Sequence, residues 1–129
     1  MALNLAVDVN RYSDFFRGLE EAQRVISSAH RVVLPFVVVG ELRGGFRRGS
    51  RSAENERQLV RFLQKDRVSV LFADEGTTHT YAALYAELRR AGTPIPTNDL
   101  WIAALVLQHD LVLFSRDRHF DKLPRLSRV

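Results

Sequence analysis

From Leu100 to Leu107 the chain reads Leu-Trp-Ile-Ala-Ala-Leu-Val-Leu, with no polar side chain on any face. Whatever this sequence folds into must enclose that segment on nearly all sides. Pro94 and Pro96 end what precedes it, and Thr97 and Asn98 are good capping residues, so the spacing predicts a buried helix opening near Asn98. Asp99 then falls in its first turn. The plain reading is an acid favoured by free backbone donors and by the positive end of the helix dipole. The sharper one starts from burial: an ionised carboxylate entering so apolar a core must find a basic side chain or a metal ion.

A length of 129 residues predicts a single domain over 1–129 with a core large enough to fold without staples. No apolar run is long enough to span a bilayer, and Met-Ala-Leu-Asn-Leu-Ala-Val-Asp lacks the basic start of a signal peptide. Cysteine is absent, which excludes disulfides, thiolate metal sites and thiol catalysis and makes a cytoplasmic protein the simplest expectation. The net charge is +4, and only Lys65 and Lys122 are lysines. Arginine pairs bidentately with phosphate, so the charge leans towards a polyanion such as RNA, although genome composition explains it equally well.

Strand and helix signals alternate along the chain. Strands are expected at Leu3 to Val7, Arg31 to Leu34, Val68 to Phe72 and Leu111 to Phe114. Helical segments are expected at Tyr12 to Arg17, Leu19 to Ser28 and Phe36 to Arg48, the last opened by Pro35 despite its valines. Gly49 to Ser52 reads as a loop. Further helices follow at Ala53 to Asp66 and Glu75 to Arg90, with Gly92 as the stop signal. Leu19 and Tyr85 are placed on inward faces, and the basic tail is expected to add a minor edge strand near Leu126. The alternation predicts a three-layer α/β/α fold around a mainly parallel sheet.

In such a sheet the ligand site lies beyond the carboxyl ends of the strands, where strand order reverses. Asp8 and Asp117 both fall at or just after strand ends, Asp99 opens the buried helix, and Glu41 lies on an otherwise apolar helix. These four acids could share a cleft, but together they would repel one another strongly and raise at least one pKa. Divalent cations remove the conflict, and an all-oxygen set suits Mg²⁺ or Mn²⁺. One or two such ions can activate water for phosphodiester cleavage. Arg43, Arg47, Arg48 and Arg51 follow Glu41 closely and are candidates for gripping RNA. The histidines have no metal-ligand spacing, with His119 set apart by its closeness to Asp117. Ser13 and Ser115 lack a plausible base, which argues against a nucleophilic serine. Asp14, Asp74 and Glu75 read as solvated or helix-start acids, and Asp121 as a cap or a partner of Lys122 or Arg125.

Val-Asp-Val-Asn at 7–10, Val-Val-Gly-Glu-Leu at 38–42, Thr-Asn-Asp-Leu-Trp-Ile-Ala-Ala at 97–104 and Phe-Ser-Arg-Asp-Arg-His-Phe at 114–120, taken together, resemble a PIN-domain protein of the VapC toxin type. The resemblance covers essentially the whole chain. It implies a PIN-like fold, a Mg²⁺-dependent endoribonuclease, a cognate antitoxin that inhibits it, and a homodimer. Carried over by position, the metal-binding acids are Asp8, Glu41, Asp99 and Asp117, with Asn10 in support by orienting Asp8 or a water. The family usually has a hydroxyl residue between the first acid and the Asn, where this chain has Val9. That departure keeps a second class open, a PIN-like RNA-binding or interaction module without turnover. A phospho-acceptor domain also gathers acids at strand ends, but Phe72-Ala73-Asp74 is a poor acceptor site and no lysine follows the late strand.

Overall fold

The computed structural model describes residues 2–129. Four strands, β1 (Asn4–Val7), β2 (Arg31–Pro35), β3 (Val68–Leu71) and β4 (Val112–Phe114), form one sheet in the order β3-β2-β1-β4, and every pairing is parallel. Leu5, Ala6 and Val7 and then Val32, Val33 and Leu34 are buried in succession without alternation, the pattern of strands covered on both faces. Helices α1 (Val9–Phe16) and α2 (Glu20–Ser28) link β1 to β2. Helices α3 (Phe36–Arg48) and α4 (Ser52–Leu63) link β2 to β3, and α5 (Glu75–Ala91) and α6 (Thr97–Gln108) link β3 to β4. The first two crossovers step one way across the sheet and the third returns past β1. Since such crossovers share one hand, the two groups of helices cover opposite faces, giving the three layers.

The apolar segment behaves as its composition demands. Leu100, Ile102, Ala103, Ala104, Leu105 and Val106 of α6 are all buried, and Trp101 packs its ring 4.3 Å from that of Tyr81. Helix α5 opens with a capping box between Asp74 and Thr77 and closes at Gly92, whose φ of +70° lets its N–H reach back to Arg89 O. Pro35 opens α3, so the valine-rich segment is a helix as expected.

Several local expectations are corrected. The first helix starts at Val9 rather than Tyr12, because the Asp8 carboxylate accepts the Val9 N–H and caps it. Helix α4 begins at Ser52 and stops at Leu63 rather than Asp66: Gln64 N–H folds back on Val60 and Arg61 carbonyls, tightening the end before β3. Leu19 and Tyr85, expected inward, are 49% and 46% exposed. The tail contributes one parallel bridge, Leu113 with Arg128, two residues beyond Leu126, which is buried instead. Asp14, expected as a solvated or helix-start acid, is 1% exposed and lies in the body of α1, and Asp121 pairs with Arg128 at 2.7 Å rather than with Lys122 or Arg125.

Candidate metal centre

Strand order reverses at β1, which lies between β2 and the late strand β4. The crevice at this switch point opens above the carboxyl ends of β1 and β4, where the chain supplies Asp8 and Asp117. Asp8 N–H donates to Phe114 O at 3.1 Å, carrying the β1–β4 pairing one residue past the strands and holding the two exits side by side. Helix α6 brings Asp99 in its first turn, and α3 brings Glu41. Asn98 Nδ2 donates to Glu41 Oε1 at 3.0 Å, which ties α3 to the start of α6.

The four acids face one another, and their protonation reflects it. Burial pushes Asp8 up, and nearby Asp117 adds to the push; hydrogen bonds from Ser115 Oγ and Val9 N act against it. Burial also raises Glu41, with the charges of Asp8, Asp99 and Asp117 contributing. Asp99 is raised by burial and by Asp117 and Asp8, while His119 opposes the shift. His119 Nδ1 lies 2.7 Å from Asp99 Oδ2 and 3.1 Å from Asp117 Oδ1, within reach of both carboxylates. The His119 backbone N–H also donates to Asp117 Oδ1 at 2.9 Å.

The distribution of arginine contacts is the most informative feature of the site. Ion pairs to arginine are taken by Asp14, Glu21, Glu54, Glu56, Glu87 and Asp121. Among the described residues no lysine or arginine pairs with Asp8, Glu41, Asp99 or Asp117, although the chain carries 19 such cations. A crowded set of oxygen donors, with Asp8 and Asp99 buried, Asp117 part-buried and Glu41 exposed at the rim, fits a hard divalent cation: the charge that would compensate the carboxylates is not supplied by a lysine or arginine of the described residues. Asp99, Asp117 and His119 alone offer three ligand atoms within 4.8 Å of one another.

Two residues set aside in the sequence belong here. Ser115 is 4% exposed and its Oγ donates to Asp8 Oδ2 at 2.6 Å, so its partner is an acid of the site and it serves as a donor rather than a nucleophile. A hydroxyl beside Asp8 thus comes from Ser115, near the far end of the chain. His119 was marked only by its closeness to Asp117. Asn10 accepts from Arg116 N at 3.4 Å, and the partners of Asp8 are Val9 N and Ser115 Oγ. The four sequence-selected arginines divide. Arg43 forms a two-pronged contact with Glu56 and Arg51 with Glu54, whereas Arg48 shares a hollow with Glu41, Val9 and Ser13, and Arg47 lines a neighbouring one. A larger groove of about 760 Å³ runs past Asn10, Arg17, Arg51, Arg61 and Arg116.

Residues 6–126 match the family model of the PIN domain. The chain is similar to Ribonuclease VapC4 of Mycobacterium tuberculosis, at 32% identity over 88 residues that cover 68% of this chain and 68% of that protein. Its fold is similar to that of VapBC-1 from nontypeable Haemophilus influenzae, with a TM-score of 0.84 and 25% identity over 98% of this chain and 97% of the other. VapBC-5 of Mycobacterium tuberculosis, a member of the VapBC family of toxin-antitoxin systems, superposes with a TM-score of 0.72 at 25% identity, covering 98% and 99%. With a family match across almost its whole length and a relative of this identity and coverage, the chain belongs to the PIN-domain family.

Proposed function

We propose that this chain is a Mg²⁺-dependent endoribonuclease and the toxin of a toxin-antitoxin pair, with Mn²⁺ as an alternative ion. The observation that carries the reading is the set of four facing carboxylates that the chain's own arginines leave unpaired. Asp8, Glu41, Asp99 and Asp117 would hold the cation, which when bound activates water and stabilises the leaving oxygen of a phosphodiester. Ser115 and the Val9 N–H fix the two oxygens of Asp8. Asn98 orients Glu41, and His119 holds Asp99 and Asp117 in a common direction. Asn10, in the first turn of α1, supports the site by accepting the Arg116 N–H. Arg48, which shares a hollow with Glu41, and Arg47 in the neighbouring hollow form no ion pair among the described residues and are the better candidates for RNA phosphates; Arg43 and Arg51 would first have to leave Glu56 and Glu54.

The family relatives support the toxin reading through their names, ribonuclease and toxin-antitoxin system. An antitoxin would inhibit by bringing a cationic side chain into the acidic mouth, in competition with the metal. Homodimerisation and a cytoplasmic setting complete the proposal. No helix among the described residues is long and apolar enough to cross a membrane.

The test is RNA cleavage by the purified chain with Mg²⁺ and with chelator, alongside Asp8→Ala. Cleavage that needs the ion and Asp8 is the expected result. Identical RNA patterns with ion and with chelator would remove the nuclease claim, and metal and RNA binding without cleavage would favour the interaction module that Val9 kept open. The Ser115 hydrogen bond to Asp8 weighs against that second reading.

A further inference from the structure

Asp14 stands outside the set of four acids, yet it is more deeply buried than any of them, at 1% exposure. It lies on α1 less than two turns beyond Asp8, and three arginines converge on it. Arg11 Nη1 approaches Oδ2 at 3.4 Å and Arg17 Nη2 approaches Oδ1 at 2.9 Å, both from the same helix. Arg116 comes from the other end of the chain and meets both oxygens, Nε to Oδ2 at 2.9 Å and Nη2 to Oδ1 at 3.0 Å. Two local arginines already neutralise the carboxylate. The third is half-exposed, at 51%, and water would hydrate it well without Asp14. Its fork is the leading contact that holds the Asp14 carboxyl low, and by meeting both oxygens at once it also fixes a piece of backbone.

That backbone is Ser115–Asp117. Strand β4 ends at Phe114, and beyond it the ladder with β1 provides no further register. Along these three residues the side chains alternate. Ser115 turns to Asp8, Asp117 to the His119 side of the site, and Arg116 away from both to Asp14. Arg116 N–H adds a contact to Asn10 Oδ1, and from the other side Arg128 Nη2 reaches the carbonyls of Ser115 at 3.5 Å and Asp117 at 3.3 Å. The segment is thus gripped on two sides by arginine side chains, one anchored to Asp14 and the other to Asp121.

We propose that Asp14 and Arg116 are positioning residues, a two-pronged clamp that sets Ser115 and Asp117 against Asp8. The clamp deepens the metal-nuclease reading and rests on it for its consequence, since a small hard cation tolerates little error in donor placement and a misplacement of about 1 Å can cost on the order of a hundredfold in rate. Both ends of the clamp belong to elements that carry an acid of the site. Helix α1 is capped by Asp8, and Arg116 immediately precedes Asp117.

Removing Asp14 would leave the 15%-exposed Arg11 with only its 3.5 Å contact to exposed Glu21, so the test is made on the exposed partner, with Arg116→Gln and Arg116→Lys in the full chain. Lysine keeps the charge and loses the fork. Hydrogen exchange is measured on metal-free protein, following the Asp117 amide, which donates to Ser115 Oγ, and the His119 amide, which donates to Asp117 Oδ1. Both variants are expected to exchange at least tenfold faster at these two amides, with β1 and β2 unchanged, and to bind Mn²⁺, read by its paramagnetic resonance, at least tenfold more weakly than the parent. Unchanged exchange in Arg116→Gln overturns the clamp. Full recovery in Arg116→Lys overturns it equally, because the effect would then be charge rather than geometry. A parent chain that binds no Mn²⁺ defeats the metal reading alone, and the exchange rates still decide the clamp.

Discussion

Asp99→Asn separates the metal reading from a purely structural one, because the two predict opposite changes in stability. The substitution removes a charge and almost no volume. Carboxylate oxygens of Asp99 and Asp117 lie within 4.8 Å of each other. Burial of the Asp99 charge is the leading cost and repulsion from Asp117 adds a smaller one; together their relief is worth roughly 2.5 kcal/mol. Against that relief stand a weaker hydrogen bond from His119, about 1 kcal/mol, and the loss of a favourable acid in the first turn of α6, about 0.5 kcal/mol. The metal-free variant is therefore expected to be more stable than the parent by about 1 kcal/mol, a rise in melting temperature of about 4 °C for a chain of this size. Saturating cation reverses the order. At a concentration about a hundredfold above the dissociation constant the parent gains about 2.7 kcal/mol, or roughly 10 °C, and the variant only a fraction of it. Thermal melts of both proteins with chelator and with Mg²⁺ or Mn²⁺ give the comparison, and RNA cleavage by the variant is expected to be lost. A variant that melts several degrees below the parent in chelator, or that gains as much from the cation, refutes the argument that Asp99 is a strained acid waiting for a metal.

The same groups set a pH dependence. Asp8, Glu41 and Asp99 are raised chiefly by burial, so the folded chain holds their protons more tightly than the unfolded one; their contribution is complete below the ordinary carboxyl range and disappears as pH climbs through the raised values. Asp14 is lowered, first by the Arg116 hydrogen bond, and its contribution disappears in the other direction, as pH falls below the ordinary carboxyl range. The metal-free melting temperature should accordingly peak in mild acid and decline towards neutrality, with the neutral limb restored by divalent cation; a profile rising monotonically from pH 4 to pH 8 in chelator would contradict this. Ile102→Ala, at a fully buried position of α6, is expected to cost about 3 kcal/mol in denaturant unfolding, and a loss under 1 kcal/mol would mean that α6 is not the core element its burial implies. Gly92→Ala forces a methyl-bearing residue into φ +70° at the end of α5 and should cost about 1 kcal/mol by the same measurement, with cleavage unaffected.

Much of this molecule is legible in one dimension because its causes are local. A run of eight residues without a polar side chain cannot lie on a surface, and Pro35 and Gly92 act on the backbone next to them, so the burial of α6, the helical fate of the valines before Glu41 and the end of α5 follow from neighbouring residues; the cap expected from Thr97 and Asn98 does not form, because α6 opens behind Pro96 with no side-chain cap and Asn98 is turned to Glu41. The alternation of strands and helices, with the family pattern, is enough to place Asp8, Glu41, Asp99 and Asp117 at one end of a parallel sheet. Which acid would be buried was another matter. Asp8 and Asp14 stand on the same short helix, and nothing adjacent distinguishes a cap from a carboxylate sealed under Arg116, since the partner arrives from 102 residues away. For the same reason the sequence does not show that Ser115 bonds Asp8, nor which of the four arginines are held by Glu56 and Glu54. Backbone propensity and capping act over a few residues and can be read along the chain. The pairing of charges depends on which side chains the fold makes neighbours, and only the packed structure decides that.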